Sequence, residues 1–191
     1  MPSLILASQS PRRRELLEQL GLEFRVQPAD IDEQVLAGEL PQAFVERMAL
    51  EKARAVASEQ PDALVLGSDT IVVVDGHIMG KPRDRDEGLR MLGRLSGREH
   101  EVLSAVALLG PQGEACRTQF SRVCFRTLSR QEMDAYWATG EPADKAGAYA
   151  IQGLAAIFIE QLSGSYSGVM GLPLYETATL LRNAGLVLLK E

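Results

Sequence analysis

A chain of 191 residues fits one domain, or one core with two lobes, and is long enough to bury a large fraction of its surface. Its 46% hydrophobic and 24% charged residues are ordinary for a soluble globular protein. A net charge of −6 excludes a general electrostatic footprint for nucleic acid, two cysteines exclude a disulfide scaffold, and no apolar run reaches membrane-spanning length. The opening Met1-Pro2-Ser3-Leu4-Ile5 lacks the basic-then-apolar pattern of a signal peptide, so a cytoplasmic protein is expected.

Ser3 to Ala7 is a short apolar strand candidate. Ser10 as N-cap and Pro11 at the first helical position then predict a helix over 12–20, halted by Gly21, with Leu16, Leu17 and Leu20 on its core face. Arg12, Arg13 and Arg14 crowd the first turn, where the helix dipole is already positive. A bound anion accounts for them, held by free backbone N–H groups, serine hydroxyls and guanidinium forks. At about 100° per residue at most two of the three reach one ligand, and Arg14 is the bystander. Leu22 to Val26 returns as a strand, Pro28 to Glu33 is an acidic loop, and Pro41 opens a helix to about Glu59 with Phe44, Met48, Ala49 and Ala53 on one stripe.

The run Leu64 to Val74 organises the rest. Its ends are apolar and β-branched, as in a strand buried on both faces, yet Asp69 stands in its middle. Either Asp69 and Thr70 turn the chain between two shorter strands, or they sit inside one long strand. In the second case a lone carboxylate would cost several kcal/mol unless a cation, metal or water accompanied it. Gly67 suggests a bulge, or a ligand close to the backbone. Asp75-Gly76 is a hairpin turn, and a helix runs from Asp84 or Asp86 to Leu95. Glu99 to Leu109 and Ala115 to Leu128 form a second hairpin. Ser129-x-x-Glu132 is a capping box, Gly140 to Gly153 is loop-rich, Leu154 to Leu162 reads as a strand, and Pro173 starts a last helix to about Asn183. Early β-α alternation with two later hairpins gives an α/β fold with a mixed sheet.

Asp32 and Glu33, set against Asp69, suit Mg²⁺ or Mn²⁺, which use one or two carboxylates together with substrate phosphates. Lys52 and Lys81 could neutralise phosphate if the fold brings them together. In Asp144 to Gly153, Tyr149 offers a stacking face and Gln152 can read a base edge. Neither a Walker loop nor a G-x-G-x-x-G is present, and His77, His100, Cys116 and Cys124 lack zinc spacing.

Ser8-x-Ser10-Pro11-Arg12-Arg13, Glu33, Glu51-Lys52-Ala53, Gly67-Ser68-Asp69-Thr70, Lys81-Pro82 and Ala146-Gly147-x-x-x-x-Gln152-Gly153, in this order and spacing, resemble the Maf family of nucleoside triphosphate pyrophosphatases. The likeness runs from Leu4 to about Leu181. It implies a single domain over 1–191, with a two-lobed Maf/inosine-triphosphatase-like α/β fold. A central mixed β-sheet would be flanked by helices, with the active cleft between lobes. It also implies hydrolysis between the α- and β-phosphates with a divalent cation, Mg²⁺ or Mn²⁺. By the same resemblance Asp69 is the general base, Glu33 and Asp69 hold the metal, and Ser8, Arg13, Lys52 and Lys81 hold the triphosphate. Arg12, Thr70 and Gln152 match the branch similar to dTTP/UTP pyrophosphatases, which implies dTTP, UTP and modified pyrimidine nucleotides as substrates, and a homodimer with no nucleic-acid or membrane partner. A nucleotide-binding regulator of cell division, a role also attached to the family, is the rival from another class. Thr70 and Gln152 oppose a third reading, a purine-selective enzyme.

Overall fold

The computed structural model describes residues 3–189. In chain order the elements are β1 (Leu4–Leu6), α1 (Pro11–Glu18), β2 (Phe24–Val26), α2 (Pro41–Ala57), β3 (Leu64–Val74), β4 (His77–Met79), α3 (Arg85–Leu95) and β5 (Glu99–Gly110). They continue with β6 (Gly113–Phe125), α4 (Arg130–Ala138), β7 (Ile159–Ser163), α5 (Tyr166–Met170) and α6 (Leu174–Asn183). The seven strands make one mixed sheet in the order β2-β1-β3-β5-β6-β7, with β4 also on β3. Strand β1 is parallel to both its neighbours, and every later pairing is antiparallel.

Strand β3 is a single strand and not two joined by a turn: it pairs with β5 without interruption from Val65 to Val73. Its other edge is divided. Strand β1 pairs with Leu64 to Leu66, and β4 with Val72 to Val74, so the backbone between them has no strand alongside. The chain leaves β1 for β2 on one side and then crosses back to β3 on the other, a topological switch at the carboxyl end of β1, where open α/β sheets bind ligands.

Alternation along β3 sorts the core. Val65, Ile71 and Val73 face α2 and pack with Phe44, Val45, Met48 and Ala53. Leu64 and Leu66 face the opposite way against Leu16, Leu17, Leu172 and Leu181, while Val72 and Val74 join Leu92, Phe125 and Phe158. Gly67 is neither a bulge nor the floor of a ligand site. A Cβ there would lie 2.2 Å from the Ala49 carbonyl oxygen and 2.8 Å from the Ala53 amide nitrogen, so the missing side chain is what lets α2 lie close on β3.

Two local expectations are corrected, for Leu154 to Phe158 and for Ser10, and helix α5 comes in addition. Leu154 to Phe158 is a 3₁₀ turn rather than strand, because its first amides are held by a side chain described below; only Ile159–Ser163 joins the sheet. Helix α5, in a small polar stretch without apolar periodicity, forms behind Ser165, whose hydroxyl accepts the Gly168 N–H. Ser10 occupies the N-cap position of α1 without bonding through its side chain, and Ser8 accepts the Ser10 N–H instead (3.2 Å). The capping box on α4 forms with both of its reciprocal bonds. Among the described residues no helix is long and apolar enough to cross a membrane.

Candidate active site

At the divided edge of β3 lies a cavity of about 780 Å³. It is lined by Ser8, Arg12, Arg13, Glu33, Lys52, Asp69, Thr70, Lys81 and Gln152, the nine site positions that the family resemblance implies. Asp32, the other acidic candidate, is not part of the lining and accepts the Gln34 N–H instead. A smaller concavity of about 460 Å³ at the far end of the sheet, bordered by Asp75, Arg98, Phe120 and Arg122, contains none of them.

On the α2 face, Lys52 Nζ stands 2.7 Å from Asp69 Oδ1 and 2.7 Å from Glu33 Oε1. Lys52 and Asp69 are both buried, so each compensates the other's desolvation. Removing Lys52 would leave the buried Asp69 carboxylate beside Glu33 without their shared cation, at a cost of about 3–5 kcal/mol, whereas removing Asp69 leaves Lys52 its Glu33 partner. Burial pushes the Glu33 carboxyl up, but the Lys52 hydrogen bond and charge, joined by Lys81 and Arg13, outweigh it and hold Glu33 below the ordinary carboxylate range. The loop after Glu33 is fastened to α2 by Arg47, which donates to the Gln34 carbonyl (2.9 Å) and to both oxygens of Glu39.

Strand alternation turns Thr70 to the opposite face from Asp69. There Ser104 Oγ donates to the Gly168 carbonyl (2.6 Å) and lies 2.8 Å from Thr70 Oγ1. Since the Ser104 proton is engaged, Thr70 is the donor of that pair, and its lone pairs are left as acceptors beside the cavity. Because the sheet edge is open here, one cavity reaches both faces.

Arg13 Nε donates to the Gly171 carbonyl (2.8 Å) and Nη1 to Ser8 Oγ (3.3 Å). Burial pulls the guanidinium below its ordinary value, partly offset by the charge of Asp69. Ser8 Oγ accepts from Arg13 and from the Ser10 amide, so its own proton remains for a ligand. Arg12 faces Asp144 at 3.8 Å. Arg14 points away to Glu18 on the exposed face. Sequence reasoning missed Gly171, whose carbonyl takes Arg13 and lies 3.1 Å from Ser68 Oγ and 3.3 Å from Thr70 Oγ1. Its φ of 131° is the residue's one distinctive trait, and no side-chain signal marks it.

Tyr149 does not offer a stacking face. Its ring is buried edge-on to Phe125, and its hydroxyl lies 2.8 Å from His100 Nε2. Burial alone lowers the His100 pKa from 6.5 to about 4. As pH falls from 6.5 to about 4 the unfolded chain therefore takes up a proton that the folded protein refuses. The stability conferred by the neutral ring is complete above 6.5 and is lost through that window, by up to about 3 kcal/mol. Thermal denaturation against pH should show a shallower acid limb between 6.5 and 4 in His100→Gln than in the native protein; parallel limbs would contradict it. Among the described residues neither cysteine lines the cavity, and burial pushes the Cys116 thiol up to about 11. Among the described residues no group of three or more His, Cys, Asp or Glu is placed to hold a metal without help from a ligand.

The family model described as Maf-like protein matches residues 3–184. A protein of Hahella chejuensis named dTTP/UTP pyrophosphatase is 55% identical over 186 residues, covering 96% of this chain and 92% of that one. One of the same name from Methylococcus capsulatus is 55% identical over 184 residues, covering 96% and 91%. The solved structure of a HAM1 protein from Coxiella burnetii matches with a TM-score of 0.56 at 18% identity, over 96% of this chain and 100% of that one, and shares its fold.

Proposed function

This chain belongs to the Maf family, and we propose that it hydrolyses dTTP and UTP, together with modified pyrimidine nucleoside triphosphates, to the monophosphate and pyrophosphate, so keeping non-standard nucleotides out of nucleic acids. Supporting this is the relatives' shared activity. The observation that carries it is the Glu33–Lys52–Asp69 cluster facing Arg13, Ser8 and Lys81 across one cavity. Phosphoanhydride hydrolysis needs positioning and charge neutralisation more than a covalent nucleophile, and these groups supply both.

In this reading Asp69 takes the proton from the attacking water, and Ser8, Arg13, Lys52 and Lys81 hold the triphosphate. Glu33 and Asp69 would hold Mg²⁺ or Mn²⁺. They suit that task because they already close on one cation, the Lys52 ammonium, and a pair of carboxylates completed by phosphate and water is a common Mg²⁺ set. When bound, the metal neutralises charge on the phosphates. Arg12, Thr70 and Gln152 select the base. The acceptor lone pairs of Thr70 would match the N3–H that thymine and uracil share and cytosine lacks. The chain acts as one domain over 1–191, as a homodimer in the cytoplasm; the family alone supports these last points.

A panel of nucleoside triphosphates with Mg²⁺ or Mn²⁺, read by pyrophosphate release, tests the reading. Pyrophosphate from dTTP and UTP, at least about tenfold faster than from purine nucleotides and abolished by a chelator, is expected. Release of orthophosphate alone, or no pyrimidine preference, would overturn it.

A further inference from the structure

Just before Gln152 the backbone is left-handed at two successive residues, Gly147 and Ala148 with φ of 68° and 60°; the glycine adopts this freely, but the fully buried Ala148 is strained. Such a segment keeps its shape only if its surroundings hold it. Two ties flank Gln152. On one side the Ala150 N–H donates to Tyr136 Oη (3.2 Å), and on the other the Leu154 N–H donates to Glu141 Oε2 (3.0 Å). The ties meet, because Tyr136 Oη donates to Glu141 Oε1 (2.6 Å), which also takes the Ala155 N–H at 3.4 Å. Glu141 comes directly after Gly140, whose φ of 79° turns the chain out of α4. A Cβ on Gly153 would lie 2.3–2.4 Å from the Glu141 carboxylate atoms, so the glycine after Gln152 makes room for this carboxylate.

We propose that Glu141, acting with Tyr136, is the positioning residue for the base-reading loop Ala150 to Ala155, and through Gln152 sets the preference for thymine and uracil over cytosine. This rests on the function proposed above. Glu141 itself is not among the residues lining the cavity: its carboxylate accepts from Tyr136 and from the amides of Leu154 and Ala155, while Gln152 stands exposed at the cavity rim. A carboxylate accepting several donors at once fixes loop geometry more firmly than any single bond could.

The test compares native protein, Glu141→Gln, Glu141→Ala, Gln152→Ala and the Glu141→Ala/Gln152→Ala pair, measuring kcat and KM for dTTP and dCTP. It also measures hydrogen exchange at the amides of Ala150, Leu154 and Ala155. Glu141→Ala should raise KM for dTTP about 10–100-fold with a smaller change in kcat, and cut the dTTP-over-dCTP preference about tenfold. Glu141→Gln, which keeps an acceptor, should recover part of both. The pair should discriminate no worse than Gln152→Ala alone, because both changes disable the same element. Equal losses on dTTP and dCTP would reduce Glu141 to a structural residue and overturn the proposal. If the native protein does not prefer dTTP over dCTP, the functional reading fails by itself. The positioning role is then judged by exchange: faster exchange in Glu141→Ala at those three amides supports it, and unchanged rates overturn it.

Discussion

Asp69→Asn is expected to lower pyrophosphate release from dTTP by about 10³-fold or more while nucleotide binding persists. Among the described residues it removes the one cavity carboxylate held on a sheet strand, which in the proposed function is both the proton acceptor and a metal-holding group. General-base catalysis alone accounts for about 10²–10⁴-fold. The fold should survive. Asparagine has the same shape, and Lys52 keeps Glu33 as a partner at 2.7 Å, so the ammonium is not left buried and alone. Binding of a non-hydrolysable dTTP analogue, followed by calorimetry, should weaken far less than turnover, since Ser8, Arg13, Lys52 and Lys81 are intact. A variant within tenfold of native activity would show that another group accepts the proton. A purely regulatory nucleotide-binding role would survive the substitution, so the same experiment separates the two classes of function.

Much of this arrangement can be read along the chain, and the parts that cannot share a cause. The ends of strand β3 are legible because β-branched runs bounded by Ala63 and Asp75-Gly76 leave little freedom of placement. Its continuity through Asp69-Thr70 is not, since a carboxylate between apolar runs suits a turn as well as a strand whose partner cation lies on another element. Helix α2 is legible from Pro41 and its apolar stripe. The capping box of α4 is equally plain, since its partners lie three residues apart. Side chains whose partners are distant in sequence are not legible by local rules. Lys52 reads as an ordinary helix-surface residue until β3 brings Asp69 to it, and Arg13 meets Gly171 across 158 positions. Glu141 reads as a loop acid, because nothing in Gly140-Glu141-Pro142 reveals that two amides and a phenol converge on it. That convergence also explains why an apparent strand from Leu154 begins as a 3₁₀ turn. The period-2 rule carries one further lesson: neighbours in a motif need not act on the same face, and Asp69 and Thr70 do not.

Gly67→Ala should be the most damaging conservative change to stability. The added methyl would meet the Ala49 carbonyl at 2.2 Å and the Ala53 amide at 2.8 Å, and these are backbone atoms of a helix that cannot rotate aside. Helix α2 must move bodily, and because Val45, Met48 and Ala53 are fully buried behind it, the core must open with it. Overpacking of this kind costs about 1–3 kcal/mol, occasionally more, and a rigid neighbour places Gly67 at the upper end. A fall in Tm of roughly 6–12 °C follows for a chain of this size. Activity should fall beyond what unfolding explains. Lys52 lies between Ala49 and Ala53, so a shift of α2 by about 1 Å draws the ammonium from Asp69, and misplacement of that order can cost about 10²-fold in turnover. Gly93→Ala is the matched control. It sits in helix α3 with nothing within 4 Å of the added methyl, and should stabilise the protein by about 0.5–1 kcal/mol with turnover unchanged. Should Gly67→Ala melt and turn over like Gly93→Ala, the close seating of α2 on β3 is not what holds Lys52 against Asp69, and the origin of that contact would have to be sought in the Glu33 loop instead.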